Sequence, residues 1–500
     1  MPSRTAMAEL PARAGVGYGS PEVAMGWKSE GQAIGRPTAQ LRPRGLALAA
    51  AIAAAVAAVL AGTPSKAAPL NEDRPADLAL EPPPLPAEVT PAQVEPCPRR
   101  WPVAIQKLKV VGLWRTQERT VLGELPWKPG ELVQETAWKL GEARLWNLGL
   151  FSRVELRLAC QGDQTQAEIA LEERWTINPL FSFQALAQRE AKPGESSSWW
   201  TLGISDINIA GRRIEVAGLY SEFNGIPGGQ LYGRLYNLAG LRMDALLQAE
   251  RLVRPRPGFD DQRTLLRGEL TRQGRDDRLR VAVRLQAQAN QFRAAEGPPV
   301  ALGAAKTALA ELGVRLGRVD VARIRQVGQS LELRPGVAWT DQAGRDTLVH
   351  GQIWLHALAY LAPGERWNLA LRLQLAAQTQ APAHLQWFTG GLYEVRGVRD
   401  SYARSRAYAL INAEARWTLY DSTWLAVVPA AFADAAALRD ADRGPLLLAS
   451  VGAGVRLLAP RFVQTGLRID LAQPLADMPC SGERWGPLCP GLSVGVYQYF

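Results

Sequence analysis

Leu279-Arg280-Val281-Ala282-Val283-Arg284-Leu285-Gln286-Ala287-Gln288-Ala289-Asn290 alternates residue by residue. Leu279, Val281, Val283, Leu285, Ala287 and Ala289 form one set, and Arg280, Ala282, Arg284, Gln286, Gln288 and Asn290 the other. On a helix the two sets would mix around the axis. On a strand they separate onto opposite faces, one apolar and one polar. The same rhythm runs through 367–375, 406–417 and 463–471. Several of these runs exceed ten residues, where globular strands usually have about five or six. Long strands with one hydrocarbon-grade face and one Arg/Gln/Asn face fit a transmembrane barrel, lipid outside and water within. In lipid no strand edge stays unpaired, so such a sheet must close. A secreted β-sandwich would also bury an apolar face, but with shorter strands.

Working outward, the period of two runs from about Thr176 to Phe500 and divides into sixteen antiparallel strands, the first at 177–190 and the last at 491–500. An even number returns the chain to the side from which it entered. The preceding segments put that side in the periplasm, so loops after odd strands face outside. The longest of these, 379–403, follows the eleventh strand. The last strand carries Leu492, Val494, Val496 and Phe500 on one face. A terminal Phe there resembles the sorting signal of bacterial outer-membrane barrels.

Toward the N-terminus the pattern changes. Leu46 to Ala61 is an apolar run of 16 residues, preceded by Arg36, Arg42 and Arg44 and followed by Ser65 and Ala67 at small-x-small spacing. This reads as a secretory signal spanning 1–67, with Met25 as an alternative start. The run is short for a membrane helix of roughly 20 residues. Nine prolines fall within 68–100, which makes that stretch an extended linker.

Residues 101–176 read as a small β-α-α-β-β module. Ile105, Leu108 and Val110 begin a strand that ends at Gly112, and Thr116 is placed to cap a short helix. Ala137, Leu140, Ala143 and Leu145 recur at helical spacing within 131–147, and Gly149 closes that helix. Val154, Leu156 and Leu158, then Ala167, Ile169 and Leu171, alternate with polar residues as two further strands.

The 500 residues carry 57 Lys+Arg, 48 Asp+Glu and a net charge of +9. Removal of 1–67 takes away seven basic and three acidic residues and leaves +5, so the case for nucleic-acid binding is weak. Cys-x-x-Cys, His-x-x-x-His and phosphate-loop patterns are absent from the sequence. His350, His356 and His384 lack ligand spacing. No catalytic residue, metal or cofactor is expected. Arg280, Arg284, Arg372, Arg406, Arg416 and Arg468 fall on polar strand faces. They would either make a basic lumen that favours anions or acidic segments, or pair with inner carboxylates. Pairing is the preferred reading.

At Leu145-Trp146-Asn147-Leu148-Gly149-Leu150-Phe151-Ser152-Arg153-Val154 the chain resembles a polypeptide-transport-associated (POTRA) domain. Val395-Arg396-Gly397-Val398, in the long loop, and Phe432-Ala433-Asp434-Ala435-Ala436, on the thirteenth strand, resemble two linked motifs of the outer-membrane assembly-factor superfamily. That superfamily includes bacterial surface antigens, BamA/TamA-like proteins and two-partner secretion transporters. The usual forms are Val-Arg-Gly followed by an aromatic, and Phe-x-Asp-x-Gly. Val398 and Ala436 depart from them. Gly203 to Gly211, with Asp206 and Asn208, also looks like the family's second-strand region.

The resemblance implies that the loop folds into the lumen and that its Arg396 pairs with an inner carboxylate. Asp434 is the first choice, with Glu414 and Asp470 in reserve. It further implies a non-enzymatic barrel in the bacterial outer membrane that assists insertion or translocation of unfolded client polypeptides. Outer-membrane lipid and periplasmic or lipoprotein partners would attend it. A passive or anion-preferring solute channel on the same fold is the alternative. In an oxidising compartment Cys480 with Cys489, and Cys97 with Cys160, are disulfide candidates.

Overall fold

A strand with one apolar and one polar face must put one toward oil and the other toward water, and in the computed structural model the alternating segments do so. The structure describes residues 101–496 apart from 162–163, 187–196, 224–225, 257–258, 295–303, 399–400, 463–465 and 476–490. The expected signal 1–67, the linker 68–100, Cys97, Cys480, Cys489 and Phe500 lie outside the described residues.

The N-terminal module has a three-stranded sheet and two helices. Val103–Ala104 (β1) is followed by Lys107–Val111 (β2), Glu118–Leu122 (α1), Leu132–Val133 (β3), Glu135–Asn147 (α2), Phe151–Gln161 (β4) and Gln164–Glu173 (β5). The sheet order is β2-β5-β4, with β2 parallel and β4 antiparallel to β5. The second helix starts later than its spacing suggests, because Leu132–Val133 pairs with β1 instead. Its buried face is Trp138, Gly141, Arg144 and Leu145 rather than Ala137, Leu140 and Ala143. Thr116 does not cap α1: Gln117 is the N-cap residue, and the Thr116 hydroxyl accepts a hydrogen bond from Asn208 Nδ2 at 2.9 Å. Ile105, Trp127, Trp138, Leu145, Phe151 and Ile169 fill the core between sheet and helices. Burial of each contributes about 1.5–3 kcal/mol.

Sixteen long strands follow. They are Ile177–Leu186 (β6), Ser197–Asp206 (β7), Ile214–Phe223 (β8), Ile226–Leu235 (β9), Met243–Arg256 (β10), Phe259–Gln273 (β11), Leu279–Ala294 (β12), Ala305–Ala322 (β13), Arg325–Gln342 (β14), Leu348–Leu361 (β15) and Trp367–Gln378 (β16). Next comes Ala403–Trp417 (β18), flanked by the three-residue piece Trp387–Thr389 (β17) before it and the two-residue piece Tyr420–Asp421 (β19) after it, and the series ends with Ala426–Asp440 (β20), Gly444–Leu458 (β21), Gly466–Pro474 (β22) and Gly491–Val496 (β23). Neighbours pair antiparallel, and β23 pairs with β6 to close the barrel. β13 and β14 run further than their alternation indicates. Gly317 and Gly328, with φ of 88° and 115°, kink these strands without ending them.

The faces are sorted inside out relative to a water-soluble protein. Leu231, Leu247 and Leu285 on the outer wall are 59%, 61% and 61% exposed, whereas Asn290, Asp434 and Asp470 on the inner wall are at most 2% exposed. Only a hydrocarbon surround makes that arrangement favourable, so the chain is a transmembrane β-barrel. Among the described residues no helix is long and apolar enough to cross a membrane.

The module is fastened to one end of this barrel. Arg144 Nε donates to Asp277 Oδ2 at 2.7 Å, with both side chains 7% exposed. Arg242 also pairs with Asp277. Asn147 Nδ2 donates to Asp320 Oδ1 at 2.8 Å, and its Oδ1 accepts from the Val321 amide at 3.0 Å. The Gln117 amide donates to Gly211 O at 2.9 Å, and Arg461 pairs with Glu172. These contacts involve the turns β7–β8, β11–β12, β13–β14 and β21–β22, which follow the second, sixth, eighth and fourteenth of the sixteen barrel strands.

Candidate functional site in the barrel lumen

Chain between β16 and β18 carries β17 and then turns back into the barrel. The turn is made at Gly397, whose φ of 79° suits glycine. A Cβ there would also lie 2.8 Å from Ala472 O on β22. The Gly391 amide donates to Val398 O at 3.1 Å, and the Val398 amide to Val395 O at 3.3 Å, which fixes the local shape. Val395 and Val398 pack into one buried cluster with Leu410, Ala436, Leu438 and Leu448. Both departures from the family motifs, Val398 and Ala436, therefore lie in the same apolar contact.

This seating delivers Arg396 to the inner wall, where it is 1% exposed. Its Nε donates to Asp434 Oδ2 at 2.6 Å and its Nη2 to Asp434 Oδ1 at 2.6 Å, a bidentate pair. Its Nη1 donates to Glu414 Oε2 at 2.8 Å, and Asp470 Oδ2 lies 3.6 Å from the same nitrogen. The guanidinium also lies over the Phe432 ring, 3.4 Å from its centroid. The three carboxylates treated as alternatives in the sequence thus surround one cation together.

The cluster extends along the wall. Arg416 Nε donates to Glu414 Oε1 at 2.7 Å and Arg456 Nη2 to Glu414 Oε2 at 2.9 Å. Arg456 and Arg468 both pair with Asp470. Asn412 Nδ2 donates to Asp434 Oδ1 at 2.7 Å and to Glu394 O in the loop at 2.7 Å. Arg372 Nε donates to Asn412 Oδ1 at 2.8 Å, and its Nη2 donates to Tyr393 O in the loop. Five buried arginines and three buried carboxylates are tolerable away from bulk water only because nearly every charge meets an opposite one or a fixed amide or carbonyl oxygen.

Room for the cluster comes from two glycines. A Cβ on Gly454 would sit 2.0 Å from Asp470 Oδ1, and one on Gly452 would sit 2.4 Å from the Phe432 ring. Sequence reasoning missed Arg456 and both glycines. Ser450, Gly452, Gly454 and Arg456 fall at every second position, and that spacing is the available signal.

Other sequence-selected residues are placed as follows. Arg284 pairs with Glu269 and Glu311 across the inner wall. Arg406 does not face the lumen: a β-bulge between Ser405 and Tyr408 shifts the alternation and leaves it exposed. Asp206 and Asn208 hold the module, Asp206 by pairing with Arg115 and Asn208 through Thr116. Cys160 is disulfide-bonded, to a partner outside the described residues. Val494 pairs with Ile469 and Phe183 at the barrel closure. Among the described residues no group of His, Cys, Asp and Glu has a metal-holding arrangement.

No protein-family model and no curated protein matches the chain. Among solved structures the chain is similar to CdiB from Escherichia coli, with a TM-score of 0.53 and 13% identity over 79% of this chain and 76% of that one. CdiB from Acinetobacter baumannii gives a TM-score of 0.50 and 13% identity over 79% of this chain and 74% of that one. BamA from Haemophilus ducreyi lacking POTRA domains 1–3 gives 0.46 and 13% over 79% and 85%. The chain is a sixteen-stranded transmembrane β-barrel with a small α/β module. At this identity its likeness to the two CdiB structures is one of fold.

Proposed function

We propose that this protein is an outer-membrane barrel that assists the insertion or translocation of polypeptides, with residues 101–176 serving as a POTRA-like domain in the periplasm. The observation that carries this reading is Arg396, held by a loop inside the barrel against Asp434, Glu414 and Asp470. Such a brace is what the superfamily resemblance implies for Val395-Arg396-Gly397, and the fold likeness to CdiB supports the same direction.

In this reading β2, an edge strand of the module sheet, receives an extended chain by strand addition. The client then enters through the lumen or the β23–β6 seam, where only Val494↔Phe183 and Gly495↔Ser182 pair among the described residues. The loop braces the lumen between events. No bond is made or broken in the client, because burial and strand pairing of the client supply the driving force. Val494, Val496 and Phe500 act as the sorting signal, and Cys97 is the proposed partner of Cys160.

Fractionation followed by depletion tests the proposal. The protein should float with outer membranes, and its depletion should lower the abundance of a defined set of surface or barrel proteins. A steady anion-selective conductance with an unchanged outer-membrane proteome would instead support a solute channel.

A further inference from the structure

Separate from the Arg396 cluster, a cavity of about 530 Å³ lies between the loop and the inner wall formed by β10–β16. Arg267 of β11 lines it. In the strand register Arg267 stands between Gln248 on β10 and Gln286 on β12. Its Nε and Nη2 donate to Gln286 Oε1 at 3.1 and 2.9 Å, and its Nη1 to Gln248 Oε1 at 3.4 Å. Neighbouring acids are engaged by other arginines: Glu250 by Arg263, and Glu269 and Glu311 by Arg284. Among the described residues no carboxylate forms an ion pair with Arg267. Amide oxygens carry only partial charge, so its positive charge is left unbalanced in a confined lumen.

The rest of the wall, which also includes the carboxylates of Asp261 and Glu394, carries several unsatisfied polar atoms. His350 and His384 are 2% and 7% exposed, line the cavity, and leave Nδ1 and Nε2 respectively without a hydrogen-bond partner in the protein. Trp387 Nε1 and Gln386 Oε1, also in the lining, are likewise unpartnered. Buried polar atoms normally find partners. Here an uncompensated guanidinium, an indole N–H donor and an amide acceptor converge on one space.

We propose that this cavity is a carboxylate-binding site, in which Arg267 receives the acidic side chains of an extended polypeptide held in the lumen. One unbalanced guanidinium matches a single negative charge. A phosphate dianion would leave one charge uncompensated. Gln386 Oε1 offers an acceptor to the amides of the same extended chain, and Trp387 Nε1 a donor to its carbonyl or carboxylate oxygens. The polypeptide as the source of the carboxylate rests on the function proposed above; the carboxylate chemistry rests on the cavity alone.

The test is calorimetric titration of the purified full chain in lipid nanodiscs with four probes: hexaglutamate peptide, free glutamate, hexalysine peptide and inorganic phosphate. Hexaglutamate should bind, and hexalysine and phosphate should not. Arg267→Gln should weaken hexaglutamate binding about tenfold or more, the loss of one charge-assisted contact. Trp387→Phe keeps the ring, removes the N–H, and should weaken binding a few-fold. Heat-modifiable gel migration checks that both variants fold. Undiminished binding by a folded Arg267→Gln variant, or no preference of the wild type for hexaglutamate over hexalysine, overturns the site. Equal affinity for free glutamate overturns the polypeptide as its occupant. Binding is read without cells, so an unchanged proteome on depletion would reject the transport role and leave the carboxylate site standing.

Discussion

Replacing Arg396 with alanine removes three short charged hydrogen bonds, two to Asp434 at 2.6 Å and one to Glu414 at 2.8 Å. Glu414 keeps Arg416 and Arg456, and Asp470 keeps Arg456 and Arg468. Asp434 is left with Asn412 Nδ2 as its side-chain donor. Removing one partner of a buried pair costs about 3–5 kcal/mol, because the other charge stays buried and uncompensated. The loop relieves that cost by leaving the wall. At about 1.4 kcal/mol per factor of ten, its opening equilibrium should rise roughly a hundred- to a few thousand-fold. Hydrogen exchange reads this directly at the Gly391 and Val398 amides, which are bonded within the loop. The double variant Arg396→Ala/Asp434→Ala should recover part of the protection, since it removes the orphaned charge as well. Exchange within about tenfold of wild type in the single variant would refute the electrostatic account of the brace.

Three further outcomes follow from the same geometry. Asp277 has φ 62°, a conformation asparagine tolerates, so Asp277→Asn removes charge with little backbone cost; the module should loosen, and exchange of the Gln117 amide, bonded to Gly211 O, should rise at least about tenfold. Gly454→Ala puts a methyl against Asp470 and Ile469 O and should destabilise the barrel by about 1–3 kcal/mol, read as a lower temperature of heat-modified migration. Burial, with His350 nearby, holds the His384 imidazole of the loop down to about 4. Its neutral form is therefore favoured when docked: docking has full strength above the free value near 6.5 and loses up to roughly 3 kcal/mol as pH falls toward 4. His384→Phe should remove that dependence from the loop exchange rates.

The barrel was legible because two-residue alternation is a local property that any long strand in lipid must carry. It is carried most plainly by 279–290 and 367–375, where every polar residue falls on the inner face. It fails where a single backbone feature shifts the phase. The bulge between Ser405 and Tyr408 moves Arg406 outward, and Gly317 and Gly328 hide the true ends of β13 and β14. In the module, Trp138 and Gly141 make the buried helix face, because tertiary packing prefers one large ring beside one small residue over a stripe of alanines. The lumen cluster was only half legible. Arg396 and Asp434 stand in recognisable motifs, whereas Arg456 and the glycines that make room for Asp470 and Phe432 depend on strands adjacent in space and distant in sequence. The latch between Arg144 and Asp277 spans 133 positions and has no local signature.

Site-directed spin labelling along β12 tests the membrane reading most directly. Labels placed singly at Val281, Val283, Leu285 and Ala287 should be accessible to oxygen from the bilayer, and labels at Ala282, Arg284, Gln286 and Gln288 to a water-soluble nickel reagent or to neither. The accessibilities should oscillate with a period of two and in opposite phase. Loss of that oscillation, or water exposure of the leucine and valine face, would contradict the barrel and everything built on it.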